Sequence, residues 1–169
     1  MVVLKLVIST FIVICSTKLG IEIASKYVIR ENNLNEFKRD FEIIKNRIEY
    51  TYEPLDRIFS YIGNLSRSEI SKVFKEASKE ISYNDPKDIW KNALEKKNLS
   101  LEKEDIKILV EFADVLGKTE KNGQINSINL SLNMLENQIG QARKMREKNE
   151  TLYKKLGIIF GVAICIILM

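Results

Sequence analysis

The sequence predicts an all-α protein, a compact antiparallel bundle of about six helices flanked by membrane segments at its N- and C-terminal ends. Three observations predict this class. Apolar residues recur at alternating steps of three and four, which is the spacing of one helix face. Proline, which breaks helices, occurs only 2 times in 169 residues. No run shows the strict apolar–polar alternation of a half-buried strand.

Residues 124–169 are predicted to form one continuous helix, soluble in its first part and embedded in a membrane in its last third. The soluble part carries an apolar stripe at steps of three and four, which comprises Ile125, Ile128, Leu132, Leu135, Ile139 and Ala142. Residues 143–150 are polar nearly all round, so we expect this section to bridge two regions through water.

The last fourteen residues, 156–169, carry no charge. As a helix they span about 21 Å, and Leu152 and Tyr153, with two lysines reaching back to the headgroups, extend this to about 27 Å. A buried core helix is the alternative for a run of this length. A membrane anchor is favoured because the run is uncharged, follows a polar helix and ends the polypeptide.

Residues 1–25 contain a second apolar segment, which runs from Leu6 to Cys15 and continues past Lys18. No small-residue cleavage pattern follows it, and the bulky Ile14 before Cys15 argues against lipid attachment. We interpret it as an uncleaved anchor, although its length and flanks are also those of a signal peptide. The predicted domains are therefore an N-terminal transmembrane segment (1–25), a soluble helical bundle (26–150) and a C-terminal transmembrane segment (151–169).

Basic residues predict the orientation of these segments. They are concentrated on the domain side of both segments, at Lys26, Arg30, Lys38, Arg39, Arg143, Lys144, Arg146, Lys148, Lys154 and Lys155. The far sides carry only Lys5. Since Lys and Arg excess marks the cytoplasmic side, residues 26–155 are predicted to be cytoplasmic, with both termini outside.

The middle of the chain is predicted to form successive amphipathic helices. The first covers about residues 31–50 and ends before Pro54, because proline disfavours a helical residue before it. The second begins at Leu55 and stops near Gly63.

Later helix ends are predicted from capping residues. Ser66 and Glu69 have the spacing of a capping box for the third helix. Asp85, followed by a proline, suits the start of the fourth helix. Ser100 is the predicted N-cap of the fifth, and Gly117 its left-handed stop.

The composition argues against an enzyme. The chain has no histidine, the commonest general base and metal ligand. Both cysteines, Cys15 and Cys165, lie in the apolar ends, so no disulfide framework holds the soluble part. Residues 26–155 mix charges of both signs, without the concentrated basic face that nucleic acid requires. No catalytic, cofactor-binding or metal-binding residue is therefore predicted.

Two short motifs have competing interpretations. Gly117-Lys118-Thr119 resembles the end of a P-loop, but position 112 is Phe where the motif needs Gly, so a helix stop is favoured. Gly157 and Gly161 form a G-x-x-x-G pattern, in which small residues let another membrane helix approach closely. The partner helix is left open: the segment at Gly20, another copy, or another protein. Trp90 is predicted to belong to the core.

The architecture and several short motifs resemble the stage III sporulation protein AB family. The matching stretches are TYEPL at 51–55, IWKNAL at 89–94, LG at 116–117, QINSINL at 124–130, LE at 135–136, EKN at 147–149 and YKKLG at 153–157, with Gly161. The resemblance covers nearly the whole chain and is strongest in its last third. The chain departs from the family at residues 118–121, where the family more often has a Ser-Asp pair.

The resemblance implies a role in endospore formation, as a structural component of a multi-protein complex between mother cell and forespore. The helical domain is then similar to the cytoplasmic domain of the platform protein of type II secretion and type IV pilus machines. A companion secretion-type ATPase and other membrane proteins of the complex are the implied partners, with membrane lipid and without nucleic acid; a homo-oligomer is left open. The implied location is the mother-cell membrane around the forespore.

A membrane sensor with two anchors and an extracytoplasmic helical domain is the alternative function. It requires the opposite topology and usually a signalling module after the second membrane helix. The sequence stops at Met169, which disfavours this alternative.

Overall fold

The computed structural model describes residues 2–51, 53–81 and 85–168, with the side chains of residues 8–167 within these ranges. Tyr52, Met169 and the side chain of Lys5, which belong to patterns named above, lie outside this description, as does Asn84, which precedes the predicted N-cap Asp85. The described ranges contain six helices and no strand: α1 Val2–Tyr50, α2 Leu55–Gly63, α3 Glu69–Ala77, α4 Pro86–Glu95, α5 Lys103–Asp114 and α6 Lys121–Leu168. The predicted all-α class is confirmed, as is the continuity of the last helix with the C-terminal segment.

The chain packs as two units. The first comprises Met1–Glu31 with Gln141–Met169, and the second comprises Asn32–Gly140. Both long helices, α1 and α6, contribute residues to each unit. These divisions follow packing alone, so the membrane boundaries at residues 25 and 150 stay predictions.

Several helix ends follow from local chemistry as predicted. The Asp85 carboxylate accepts a hydrogen bond from the Lys87 N–H at 2.9 Å, and Pro86 occupies the first turn of α4. Gly117 has a φ of 73°, in the left-handed region that favours glycine after a helix. The helix-stop interpretation of this glycine is therefore confirmed, and no phosphate loop forms around it.

Two predicted caps were wrong. The N-cap of α3 is Ser68, whose hydroxyl accepts the Ser71 N–H at 3.0 Å, so Ser66 and Glu69 do not form the predicted box. The N-cap of α5 is Glu102 rather than Ser100. The Asp105 carboxylate accepts the backbone N–H of Glu102 at 2.9 Å, and this bond fixes the start of the helix two residues later than predicted.

An aromatic cluster forms the core of the second unit. Helices α1 to α5 each contribute to it, through the fully buried side chains of Phe37, Phe41, Phe59, Phe74, Trp90 and Phe112. Phe41 stacks on Phe112 with ring centroids 3.5 Å apart, and Trp90 lies 4.7 Å from Phe74. The indole N–H of Trp90 donates to the Leu109 carbonyl at 2.8 Å, which satisfies its one buried donor. The prediction that Trp90 is a core residue is confirmed.

The soluble part of α6 covers this core with its predicted apolar stripe. Ile128 and Leu135 are fully buried, and Ile139 is nearly so. At the edge of the stripe, Lys38 of α1 pairs with Glu136 of α6 at 3.2 Å.

One helix of the described residues is long and apolar enough, by length and composition, to cross a membrane. It is α1, over Ile8–Tyr50, with a mean hydropathy of 1.4 in an apolar stretch that is 11% buried. A signal sequence near the N-terminus passes the same test. The described part of α6 does not meet this criterion, so the second membrane segment stays a prediction.

Candidate helix-pair interface

In the first unit, α1 and α6 form an antiparallel pair. Three contacts along their length show this direction: Ser9 with Cys165, Gly20 with Gly157, and Glu31 with Arg143. The pair holds the two glycines that the sequence singled out as a helix-packing motif.

Backbone contact between the helices depends on glycine at three positions. A Cβ added to Gly157 would lie 2.8 Å from the Ser16 carbonyl O and 3.0 Å from the Gly20 Cα. A Cβ on Gly20 would lie 2.6 Å from the Tyr153 carbonyl O, and one on Gly161 would lie 3.0 Å from the Val13 Cα. The obstacles at Gly20 and Gly157 are backbone atoms, which cannot rotate away, so the helices must separate to admit a side chain there; at Gly161 the nearest obstacle is the Ser16 side-chain hydroxyl.

The structure thus places Gly157 and Gly161 on the face of α6 that contacts α1. The segment at Gly20, one of the three partners left open by the sequence, is in contact with them, and the choice of another copy or another protein as a further partner stays open. Sequence reasoning named Gly20 as one candidate partner but missed Ser16, which forms a small-x-x-x-small pair with Gly20. That this packing takes place within a membrane stays a prediction.

A buried carboxylate joins the polar sections of the two helices. Glu31 of α1 has a side chain only 7% exposed and pairs with Arg143 at 3.2 Å and with Arg146 at 3.3 Å. Arg146 also pairs with Glu150 at 3.0 Å. The expectation that residues 143–150 bridge two regions through water was therefore wrong: ion pairs hold one side of this section against α1.

Aromatic stacking separates the charged contacts from the glycine contacts. The rings of Tyr27 and Tyr153 lie nearly parallel, with centroids 5.9 Å apart. A stacked pair of this kind contributes about 0.5–1.5 kcal/mol beyond the area it buries. The order along the pair is charged contact, tyrosine stack and glycine contact.

The basic excess of the chain belongs to the helix pair. The first unit contains ten Lys and Arg and four Asp and Glu, hence a net charge of +6. The second unit contains 17 Lys and Arg and 19 Asp and Glu, hence −2. The net charge of +4 on the whole chain therefore conceals two regions of opposite sign.

The carboxylates show structural roles. Hydrogen bonds from Lys154 and Arg146 lower the pKa of Glu150, as expected for an ionised partner of basic side chains. Burial raises the pKa of Asp40 to about 6, against attraction from Arg39. Asp40 is fully buried, and its Oδ2 has no hydrogen-bond partner among the described residues. Its location is the core of the second unit, where a carboxyl group costs stability.

Within the described residues, no group of three or more His, Cys, Asp or Glu side chains is placed to hold a metal ion. Lys118, from the P-loop-like triplet, pairs with Asp85 at 2.9 Å and with Asp114 at 3.0 Å. These pairs tie the end of α5 to the start of α4, which is a structural role. The expected absence of catalytic residues, metals and cofactors stays a prediction.

The fold and the helix pair together define a class: an all-α protein with a helical domain attached to an antiparallel pair of apolar helices. A family model described as stage III sporulation protein AB matches residues 5–169, so the chain belongs to that family. The resemblance noted in the sequence is thereby confirmed.

Two relatives agree with this assignment. The stage III sporulation protein AB of Bacillus subtilis (strain 168) is 28% identical over 170 residues, which cover 98% of this chain and 99% of that protein. A solved structure of stage III sporulation protein AB has a TM-score of 0.65 at 23% identity and covers 71% of this chain and 98% of its own. The solved structure supports the fold, and the family match identifies this chain as a sporulation protein.

Proposed function

We propose that the protein is a membrane-anchored structural adaptor in the complex that links mother cell and forespore during sporulation. In this proposal, the helix pair lies in the mother-cell membrane around the forespore, and the helical domain is cytoplasmic. The domain serves as a platform for a companion secretion-type ATPase and for other membrane proteins of the complex. The protein itself catalyses no reaction.

The observation that carries the proposal is the apolar surface of the helix pair. Large apolar side chains that are more than half exposed occur on both helices of the first unit, at Phe11, Ile14, Leu19, Ile159, Phe160, Ile166 and Ile167. Soluble proteins rarely expose apolar side chains so densely, whereas a membrane-spanning helix must do so. The surface supports insertion of both helices, α6 included.

The charge distribution supports a cytoplasmic domain. The net charge of +6 on the first unit arises mainly from basic residues next to the apolar section, on the domain side. Basic residues in such flanks are retained in the cytoplasm during insertion. The domain is continuous in sequence with both anchors, through α1 and α6. The domain-side ends of the two anchors must therefore lie on the same side of the membrane.

The platform role is tested by co-purification. The full-length protein in detergent is mixed with the companion secretion-type ATPase under conditions in which the ATPase assembles into its hexamer. We expect the two to elute together and the ATPase to be retained on the tagged adaptor. The Phe112→Asp variant, which keeps the anchors but places a charge in the aromatic core, is the matched control and should lose the ATPase. Separate elution of the hexamer from the unaltered protein would refute the platform role.

A further inference from the structure

Three exposed lysines form a stripe on α6, which we call the lysine stripe: Lys144, Lys148 and Lys155. Their spacing of four and seven residues places them within about 40° of one another around the helix axis. Each is exposed, and among the described residues none of the three takes part in an ion pair. The neighbouring basic residues differ, since Arg143, Arg146 and Lys154 pair with Glu31 or Glu150.

The lysine stripe faces away from α1. The residues of α6 that contact α1 include Arg146, Tyr153 and Gly157. At about 100° per residue, these lie roughly on the opposite side of the helix from the stripe. The stripe is therefore free of the helix pair's own contacts.

The same side of α6 becomes apolar beyond Lys155. Ile159, Val162 and Ile166 continue the line of the stripe and are 60%, 45% and 70% exposed. One face of the helix thus changes from basic to apolar within a single turn. On this face of α6, the acidic side chain of Glu147 lies at the edge of the stripe. One negative charge against three lysines leaves the face with a net positive charge.

We propose that the lysine stripe binds the headgroups of anionic phospholipids in the leaflet that holds the neighbouring apolar face. This inference rests on the membrane anchoring proposed above. A phosphate-bearing lipid presents its anionic headgroup directly above its acyl chains, and the α6 face presents lysines directly next to apolar side chains. The lipid and the helix face thus have the same order of charged and apolar groups. This match favours a lipid over an acidic protein, because binding to an acidic protein would not require apolar side chains next to the lysines.

The three lysines contribute unequally. The headgroup layer on each side of a bilayer is about 5–7 Å thick, and Lys155 lies one helical turn, about 6 Å, from Ile159. Lys148 and Lys144 lie about 10 Å and 16 Å further along the helix than Lys155. Since attraction to the charged surface fades over a Debye length of about 8 Å at physiological salt, the order of contribution is Lys155, Lys148, Lys144.

The test compares two lipids in the same liposomes. The full-length protein is reconstituted in phosphatidylcholine liposomes that contain spin-labelled phosphatidylglycerol or spin-labelled phosphatidylcholine as probe. The fraction of probe immobilised at the protein surface gives a selectivity ratio for the anionic lipid. We expect a ratio of about three or more at low salt, falling toward one as salt is added.

Charge-removing variants assign the selectivity to the stripe. The triple variant Lys144→Gln, Lys148→Gln, Lys155→Gln should lower the ratio close to one, and Lys155→Gln should have the largest single effect. The matched control replaces three exposed lysines of the helical domain, Lys79, Lys96 and Lys107, with Gln and should keep the ratio of the unaltered protein.

Each contrary outcome has a distinct meaning. An unchanged ratio in the stripe variant would overturn the lipid inference and leave the membrane anchoring intact. A stripe variant that keeps its lipid selectivity but loses the ATPase in co-purification would overturn it in favour of an acidic protein surface. Failure of the unaltered protein to enter liposomes of any composition would overturn the proposed anchoring itself.

Discussion

Gly20 of α1 and Gly157 of α6 meet backbone to backbone: a Cβ on Gly157 would lie 3.0 Å from the Gly20 Cα. Such contact requires that neither residue carries a side chain, and it brings two helix axes closer than ordinary packing permits. The pair therefore depends on two residues separated by most of the chain.

Replacing Gly157 should separate the two helices. In a Cys15→Ser, Ser9→Cys background, a short bismaleimide can join position 9 to Cys165, whose Sγ lies 3.2 Å from the Ser9 carbonyl O. We expect Gly157→Ala to lower the yield of this cross-link severalfold, because the new methyl group meets the Ser16 carbonyl at 2.8 Å.

Gly140→Ala is the matched control on the same helix. A Cβ at position 140 meets no heavy atom within 4 Å among the described residues. This variant should keep the full yield and gain about 1 kcal/mol of helix stability. Equal yields in both variants would show that glycine is not needed at position 157.

Glu31→Gln should destabilise the helix pair. The substitution leaves Arg143 without its carboxylate and removes one of two carboxylates from Arg146, around a side chain that is only 7% exposed. We expect a loss of about 1–3 kcal/mol, measured as a lower Tm of the full-length protein in detergent. Glu147→Gln, at an exposed site on α6, should change the free energy of unfolding by less than about 0.5 kcal/mol and should therefore leave the Tm nearly unchanged.

Asp40 should make stability fall as pH rises. Its folded-state pKa of about 6 lies above the usual value of 3.8, which applies to the unfolded chain. Between pH 4 and 6 the folded state therefore binds more protons than the unfolded state. Stability from this group is present below pH 4 and is lost as pH rises through 6, by about 2–3 kcal/mol. Arg39 attracts the carboxylate and Glu36 repels it.

Asp40→Asn removes this titration. We expect the variant to be more stable than the unaltered protein at pH 7.5, and the difference in Tm to shrink as pH falls to 4.5. Glu42→Gln, an exposed acid on the same helix, should show no such convergence. A pH-independent difference for Asp40→Asn would mean that the carboxyl group is charged throughout this range.

The aromatic core should be sensitive at Phe112, which stacks on Phe41 and is fully buried. Phe112→Ala should cost about 3–5 kcal/mol in the free energy of unfolding, because it removes a ring and leaves a cavity. The fluorescence of the single tryptophan, Trp90, reports the transition from within the same cluster. Leu130→Ala, at a side chain that is 62% exposed, should cost less than about 0.5 kcal/mol.

Local sequence chemistry was enough to place most helices. Asp85 accepts a backbone N–H at the start of α4, and Gly117 adopts the left-handed conformation that follows the end of α5. The structure places both residues at the helix ends that the sequence predicted. The start of α3 was misplaced because Ser66 and Ser68 compete for it. The Ser66 hydroxyl donates to the Ser68 hydroxyl at 3.0 Å, and the structure shows that Ser68, which accepts the Ser71 N–H, is the residue that caps the helix.

Long-range contacts were the part that sequence could not supply. The G-x-x-x-G pattern identified Gly157, but its partner Gly20 is far away in the chain. Glu31 was missed altogether, because its partners Arg143 and Arg146 are 112 and 115 residues away. A single glutamate in a polar stretch of helix has no local feature that distinguishes it from a solvated residue.

The central claim is that the helical domain is cytoplasmic and is held by two membrane anchors. The most direct test expresses the protein in growing, non-sporulating cells. These cells are then labelled with a maleimide that cannot cross the bilayer. The protein carries Cys15→Ser and Cys165→Ser, with Asn98→Cys in the exposed region before α5 or Val2→Cys at the N-terminus. We expect the Asn98→Cys variant to label only after permeabilisation and the Val2→Cys variant to label in intact cells. Labelling of Asn98→Cys in intact cells would contradict the account.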